Sequence, residues 1–358
     1  MIANKNIELN ELLKNFSVDR KTYEFQGINQ GYINDTYLVL DNNYPLYILQ
    51  RVNHNVFKDI DGLMGNIANA FQYLQDKDYT PIDLIKTKTG SSTYYKQEGT
   101  GYWRLMTYIN NTTAYDNATD TIIAFEAGRV VGKFHQLLAN ASLENYVDTI
   151  PRFHDLSLRK NQFEESLLSA KKEKLETARS AITFANDILE KLKILDNSKL
   201  PLRVCHNDTK VNNILFSKKD TKALCLIDLD TIMKGYFYFD FGDAIRTVAN
   251  TAAEDEQDHG KITFERPLFE AFVQGLESNG AFLYKHEIEL LPWGAVFMPF
   301  IHGLRALTDY LNDNIYYKVS YENQNLDRCL SLFAFTKKAL QEIEYMTQVV
   351  VSGLTPKL

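Results

Sequence analysis

His206-Asn207-Asp208-Thr209-Lys210-Val211-Asn212-Asn213 decides the reading of this chain, together with Leu226-Ile227-Asp228-Leu229-Asp230 shortly after it. Val204-Cys205 before the first segment and Ile214-Leu215-Phe216 after it are apolar and strand-like, and Leu224-Cys225-Leu226-Ile227 runs directly into Asp228. Lys218-Lys219-Asp220 supplies a hairpin turn, so residues 203–230 are predicted to run strand, loop, strand. Asx residues often do no more than build turns. Carboxylates set between buried strands nevertheless need a reason, because burying them without partners is strongly unfavourable.

The spacing supplies that reason. An Asp followed five residues later by an Asn, and then by an Asp at the end of an apolar run, is what phosphoryl transfer to a hydroxyl requires. Asp208 is the candidate base, aiming an attacking hydroxyl and taking its proton. Asn213 and Asp228 are the candidate Mg2+ ligands, since magnesium takes one or two oxygens from protein and others from phosphate. Lys210, two residues after Asp208, matches the D-x-K-x-x-N spacing of protein kinases and is a candidate contact for the transferred group. Asp240-Phe241-Gly242 repeats the magnesium triplet of protein kinases, but Asp228 already occupies the strand end nearer the loop. Asp240 is therefore expected to cap a helix starting at Gly242 and to brace the loop, with His206 as a structural hydrogen-bonding residue.

With 358 residues, two lobes are the prior. Hydrophobic content of 45% and charged content of 24% are ordinary for a soluble globular protein. A net charge of -7 and a pI near 5.6 argue against a nucleic-acid partner. Cys205, Cys225 and Cys329 are too few and too scattered for a disulfide framework or zinc site, which fits a cytoplasmic setting. Met1 to Phe16 lacks a signal-like apolar stretch, and no run approaches the roughly 20 apolar residues of a membrane span.

Outward from the loop, the N-terminal part reads as a sheet with one inserted helix. A helix is predicted from Ile7 to Phe16, then two strands within Tyr23 to Leu40 around Gly27-Ile28-Asn29-Gln30-Gly31, and a third at Tyr47 to Val52. Ile60 to Leu74 carries Leu63, Ile67, Ala70, Phe71 and Leu74 on one helical face. Strands follow at Ser92 to Tyr95 and Tyr102 to Ile109, separated by Gly99-Thr100-Gly101. The polar Asn110-Asn111-Thr112-Thr113 then connects to a mostly helical remainder, with helices predicted over Ile122 to Leu138, Asn161 to Leu195 and much of Phe264 to Val351.

These features resemble the aminoglycoside phosphotransferase and choline kinase superfamily, whose motif is H-x-D-x-x-x-x-N followed by I-D-x-D. Gly31 to Tyr37, Tyr47 to Gln50, Phe153-His154-Asp155, Ile227 to Met233, Phe239 to Arg246, Asp309-Tyr310-Leu311 and Asn325 to Arg328 narrow the likeness to the N-acetylhexosamine 1-kinases. The resemblance implies an α+β, bilobal, protein-kinase-like fold: 1–109 a nucleotide-binding lobe, 110–113 the hinge, 114–358 the catalytic and acceptor-binding lobe. It also implies ATP and Mg2+, a free sugar as acceptor, Asp208 as base, and metal on Asn213 and Asp228. The expected nucleotide contacts are Gly31, Gln50, Arg51, Met106 and Tyr108. The expected sugar contacts are Tyr32, Asn34, Asp243, Arg305 and Tyr316. Two plainer readings stay open: Arg305 pairs with Asp309 one helical turn on, and Tyr316 only packs.

The chain departs from ordinary kinases at two places. Leu49-Gln50-Arg51 stands where the third-strand lysine is usual, and strand alternation lets only one of Gln50 and Arg51 point inward. Asn66 occupies the helix that usually carries the partner glutamate. Within the subgroup, His is expected at Tyr32 and an aromatic at Thr247. The rival acceptors are an amino alcohol, an aminoglycoside or another sugar, and a pseudokinase ranks last because all three chemical groups are present. A cationic acceptor would call on the acidic run Glu254, Asp255, Glu256 and Asp258, which otherwise reads as solvated surface.

Overall fold

Strand alternation and one amphipathic helix account for the N-terminal architecture. A computed structural model describes residues 2–28, 33–90, 92–99 and 101–356, with side chains from residue 5 onward. It contains α1 (Ile2–Leu13), β1 (Glu24–Ile28), β2 (Asp35–Asp41), β3 (Tyr44–Val52), α2 (Ile60–Tyr73), β4 (Tyr95–Gln97) and β5 (Gly101–Thr107). The strands form one antiparallel sheet in the order β1-β2-β3-β5-β4. The register aligns Thr36, Gln50 and Arg104 in one row across β2, β3 and β5, and Asp35, Arg51 and Trp103 in the next. Leu9, Leu12, Leu13 and Phe16 of α1 and its C-terminal turn share a core with Val39, Leu49, Trp103 and Leu105. The α1 helix therefore covers the face that carries Trp103 and Leu105, and Gln50 and Arg104 lie on the other. The N-cap of α2 is Asp59, whose carboxylate accepts from Gly62 N at 2.8 Å, an interaction typically worth about 1 kcal/mol.

The chain divides into two compact units. The first is Met1–Thr112 with Asn140–Pro151 and Leu229–Met233; the second is Thr113–Ala139, Arg152–Asp228 and Lys234–Leu358. After β6 (Thr112–Thr113) come α3 (Thr121–Leu137), α4 (Leu156–Ser169), α5 (Lys172–Thr177) and α6 (Arg179–Lys191). Four short strands follow: β7 (Arg203–Cys205), β8 (Ile214–Ser217), β9 (Ala223–Leu226) and β10 (Met233–Gly235). The remainder is α7 (Phe237–Val248), α8 (Arg266–Glu277), α9 (Lys285–Leu311), α10 (Gln324–Gln341) and α11 (Ile343–Leu354). The α+β class, β-rich at the N-terminus and helical at the C-terminus, is the one the sequence predicts.

The centre of the second unit is α9, buried along most of its length. By length and composition it is apolar enough to cross a membrane, contrary to the expectation that no run comes near that length, yet 83% of its apolar window is buried inside the protein. It packs on α7 through two glycines. A Cβ at Gly242 would lie 2.0 Å from Gly294 O, and one at Gly294 would lie 2.3 Å from Tyr238 O, so only glycine permits the approach.

Several boundaries differ from the sequence reading for identifiable reasons. The helix predicted over Asn161 to Leu195 breaks into three, with Ala170 extended between α4 and α5. The break sets Lys174 at the end of α9, where its ammonium donates to Tyr310 O at 2.8 Å and pairs with Asp313 at 2.9 Å. The strand predicted at Ser92 starts at Tyr95, because Ser92 Oγ bonds to Tyr94 N and O in a local turn. The helix expected from Gly242 begins at Phe237, so Asp240 sits inside its first turn and is not its cap.

Candidate active site

The β8–β9 hairpin brings the two candidate metal ligands to one end. Its register pairs Ile214 with Leu226, so Asn213 just before β8 lies beside Ile227-Asp228 just after β9. Ile227 N donates to Asn213 O at 2.8 Å and closes that end. Asp228 is exposed and left-handed, φ 61°, a conformation that Asp and Asn tolerate better than most residues.

His206 ties the loop to the hairpin. Its Nε2 donates to Ile227 O at 2.8 Å, while its Nδ1 accepts from Asp208 N at 3.2 Å. A carbonyl can only accept and an amide N–H can only donate, so these two bonds select the neutral ring with its proton on Nε2. Asp208 and the residue before Asp228 are thereby fixed to one imidazole. His206 is structural, as expected.

Asp240 braces the loop from below. Fully buried on α7, its carboxylate accepts from His206 N at 2.8 Å, Asn207 N at 2.7 Å and His135 Nε2 at 2.8 Å. Its carbonyl accepts from Thr209 Oγ1. With both carboxylate oxygens engaged, the triplet Asp240-Phe241-Gly242 serves packing and loop support. Asn207 is left-handed, φ 62°, which turns the chain so that consecutive amides reach one carboxylate.

The candidate base, metal ligands and lysine lie together beside this support. Asn213 Nδ2 donates to Asp208 O at 2.8 Å and to Asp208 Oδ2 at 2.7 Å. Lys210 Nζ lies 3.1 Å from Asp208 Oδ2. Burial works against charge on Lys210, but Asp208 and Asp228 outweigh it and lift its pKa above the ordinary lysine value. Asp208, Lys210, Asn213 and Asp228 thus form one constellation. With its amide nitrogen tied to Asp208, Asn213 has Oδ1 free to face a cation. That oxygen and the Asp228 carboxylate are hard donors that fit magnesium.

A second polar cluster adjoins the first. Asp243, fully buried, accepts from Lys210 N at 3.1 Å and from Arg246 Nε at 2.6 Å, with His302 Nε2 at 3.3 Å. Burial alone would raise the Asp243 pKa; Arg246 and His302 overcome it and hold the carboxyl far below the usual range. Arg246 also reaches Glu254 at 3.2 Å, and Glu254 accepts from Arg328 Nε at 2.6 Å. Thr247 accepts from Val211 N at 3.0 Å and so helps to seat the loop. The acidic run is thus not simply a solvated surface: Glu254 is held between two arginines, Glu256 lies 3.4 Å from Lys261, and Asp258 caps a short turn.

Arg305 on α9 lies over Phe153 at 5.2 Å, Tyr316 at 6.0 Å and Tyr317 at 5.9 Å. It does not pair with Asp309. That carboxylate accepts from Tyr316 N at 2.8 Å, Tyr317 N at 2.9 Å and Asn325 Nδ2 at 2.9 Å. Among the described residues Arg305 has no hydrogen bond or ion pair, so its donors are open to a ligand. Tyr316 is 63% exposed, and its ring packs edge-on against Tyr317 and beneath Arg305.

The remaining sequence candidates lie in the first unit. Gly31 and Tyr32 fall outside the described residues. Gln50 donates to Thr36 Oγ1 at 3.0 Å and accepts from Arg104 Nε and Nη2 at 3.0 and 2.7 Å. Arg51, on the opposite face, is paired with Asp35. Met106 shares the face of Gln50 and bridges Leu84, and Tyr108 N donates to Leu46 O at 3.0 Å. Asn34 is committed at both ends of its amide, donating to Asp230 Oδ2 at 2.7 Å and accepting from Asn53 N at 3.0 Å. Sequence reasoning missed Arg104, whose side chain is buried against Asp230. A charged residue in the middle of an apolar strand was the available signal.

A model described as the phosphotransferase enzyme family matches residues 24–272. Similar solved structures include a microcompartment-associated aminopropanol kinase, at 14% identity and TM-score 0.61, covering 95% of this chain and 98% of that chain. An amicoumacin kinase, solved with AMP-PNP, Ca2+ and Ami, matches at 14% identity and TM-score 0.61, over 96% of this chain and 93% of that chain. A spectinomycin phosphotransferase, solved with ADP and spectinomycin, matches at 16% identity and TM-score 0.58, over 96% and 98%. At these identities the likeness is one of fold, the aminoglycoside-phosphotransferase, protein-kinase-like fold.

Proposed function

The chain belongs to the phosphotransferase enzyme family, and on that premise we propose that it transfers the terminal phosphoryl group of ATP to the anomeric hydroxyl of an N-acetylhexosamine. The observation that carries the acceptor class is Arg305, a guanidinium with no partner among the described residues, set among Phe153, Tyr316 and Tyr317. Hydrogen-bond donors beside aromatic faces suit a sugar ring with its hydroxyls and acetamido carbonyl. A cationic acceptor is disfavoured by the same neighbourhood. Of the acidic run that such an acceptor would call on, Glu254 is already held by Arg246 and Arg328, and Asp309, bonded to the Tyr316 and Tyr317 amides, is filled by them and by Asn325. The observation on the other side is that an aminopropanol kinase shares the fold.

The chemistry follows from the constellation. Asp208 orients the acceptor hydroxyl and takes its proton as the oxygen attacks the terminal phosphorus and the bond to the ADP oxygen breaks. An anomeric hydroxyl is more acidic than an ordinary alcohol, so a plain carboxylate suffices as base. Lys210 offers positive charge beside the transferred group. Asn213 Oδ1 and the Asp228 carboxylate would hold Mg2+, which when bound neutralises charge on the triphosphate.

The test is ADP production with a panel of N-acetylglucosamine, N-acetylgalactosamine, glucose, galactose, choline, ethanolamine and kanamycin. Turnover with the N-acetylhexosamines, and not with the amines, is expected. Turnover confined to choline, ethanolamine or kanamycin would end the sugar reading.

A further inference from the structure

Two half-buried arginines of the second unit meet at Phe153. Arg159, on α4, donates from Nη2 to Phe153 O at 2.9 Å and from Nη1 to Gln162 Oε1 at 2.9 Å. Arg305, on α9, stands over the Phe153 ring and beside Tyr316 and Tyr317. A carbonyl and an amide satisfy hydrogens of Arg159, but neither carries charge, and its buried Nε has no partner among the described residues. Burial first, and then the charge of Arg305, push the Arg159 pKa down from 12.5 to about 10. Two like charges held against one residue repel unless a counter-charge joins them.

The neighbouring carboxylates are engaged elsewhere. Asp155 caps α4 at Leu158 N and pairs with Arg152. Asp309 is filled by two backbone amides and Asn325. Glu254 is held by Arg246 and by Arg328, which itself lies over Tyr317 at 4.7 Å. Among the described residues neither Arg159 nor Arg305 has an ion pair. We propose that these two arginines form an anion subsite, so that the preferred acceptor is an N-acetylhexosamine bearing a carboxylate or a phosphate on its exocyclic carbon. This deepens the sugar-acceptor reading above and rests on it. Arg305 supplies a planar fork that matches two oxygens of such a group, and Arg159 supplies a second positive charge. Phe153 joins the subsite to the reacting end: His154, the next residue, donates to Asn207 O at 3.2 Å, and Asp208 follows Asn207. The exocyclic carbon keeps the acceptor's charge off the anomeric end, where the triphosphate arrives.

The test titrates the whole chain, with and without ADP and Mg2+, and then measures turnover with ATP. The probes are N-acetylglucosamine, the uronic acid derived from it, the methyl ester of that acid, and N-acetylglucosamine 6-phosphate. The acid or the phosphate should bind about 10-fold or more tighter than the neutral sugar, the reach of a charge-assisted pair, and the better of the two tells carboxylate from phosphate. The ester should show no advantage, and the advantage of the anion should shrink as NaCl is raised. Arg159→Gln keeps a donor for Phe153 O but loses the charge. It should cut the ratio of anion to neutral affinity by about 3-fold or more, and Arg305→Gln should cut it further. Thermal melts show which variants fold, and one folded variant suffices. Equal affinity for the neutral sugar and both anions overturns the proposal and leaves the sugar reading standing. An ester that shares the acid's advantage, or a ratio unchanged in a folded variant, overturns it too. If no probe binds or is turned over, the sugar-acceptor reading falls and this proposal with it.

Discussion

Asn213 donates its amide nitrogen to Asp208 twice, to the backbone carbonyl at 2.8 Å and to the carboxylate at 2.7 Å. One side chain therefore fixes where the proposed base points and, by spending its nitrogen there, which way its own oxygen faces. Asp208→Asn keeps an acceptor oxygen for Asn213 but cannot take a proton. The expected outcome is a fall in kcat of roughly 10^3-fold, within the usual reach of general-base contributions, with nucleotide affinity changed only a few-fold. Steady-state kinetics beside ADP calorimetry checks it, and full activity in this variant would remove Asp208 from its role.

Asn213→Asp tests the other half of the same relationship. It puts a second carboxylate where Asp208 now accepts hydrogen bonds, and two carboxylates at that distance repel or share a proton. The expected result is a rise in the apparent pKa of the acid limb of the kcat/KM profile, with a loss of activity near neutrality. A profile that keeps its wild-type midpoint would mean that Asn213 does not control the base.

How much of this was legible in the sequence depends on distance along the chain. Asp208, Lys210, Asn213 and Asp228 fall within one strand-loop-strand segment, so their spacing and its apolar flanks together were enough to single them out as candidates. Arg104 and Asp230 are 126 residues apart, and their pairing depends on the β3–β5 register and on a strap from elsewhere in the chain. No periodicity carries that information. The start of α7 was hidden for a local reason: Tyr236, its N-cap, makes no side-chain bond, and the first residues are the aromatics Phe237-Tyr238-Phe239, weak helix formers. The spacing of Arg305 and Asp309 suggested a pair on one helix face. It could not show that Asp309 is filled by backbone amides from beyond the end of α9.

Because Asp309 is already satisfied, Arg305→Leu should disturb the acceptor and little else. The expected effect is a rise in acceptor KM of about 10- to 100-fold, the loss of one or two hydrogen bonds from a charged donor, with the KM for ATP unchanged. Thermal stability should move little, since ring contacts of this kind are worth roughly 0.5–1 kcal/mol at exposed sites. An unchanged acceptor KM would remove Arg305 from the acceptor site.

His154 gives the fold a measurable acid sensitivity. It is buried, its Nε2 donates to Asn207 O at 3.2 Å, and its Nδ1 has no hydrogen-bond partner among the described residues. Burial, reinforced by His302, pushes its pKa from 6.5 down to about 3. The sign follows from proton counting. Between those two values the unfolded chain binds a proton that the folded protein refuses, so stability falls as the pH drops through that window and is unaffected above it. A shift of that size corresponds to a loss on the order of 5 kcal/mol once complete. His154→Gln keeps a donor for Asn207 O but does not titrate. Urea unfolding of the variant from pH 7 downward should show a pH slope shallower than wild type by about one proton. Because His302 is also buried and also shifted down, the variant should retain part of the acid sensitivity. If the slope is the same with and without the imidazole, the proton is taken up elsewhere and His154 is already charged in the folded protein.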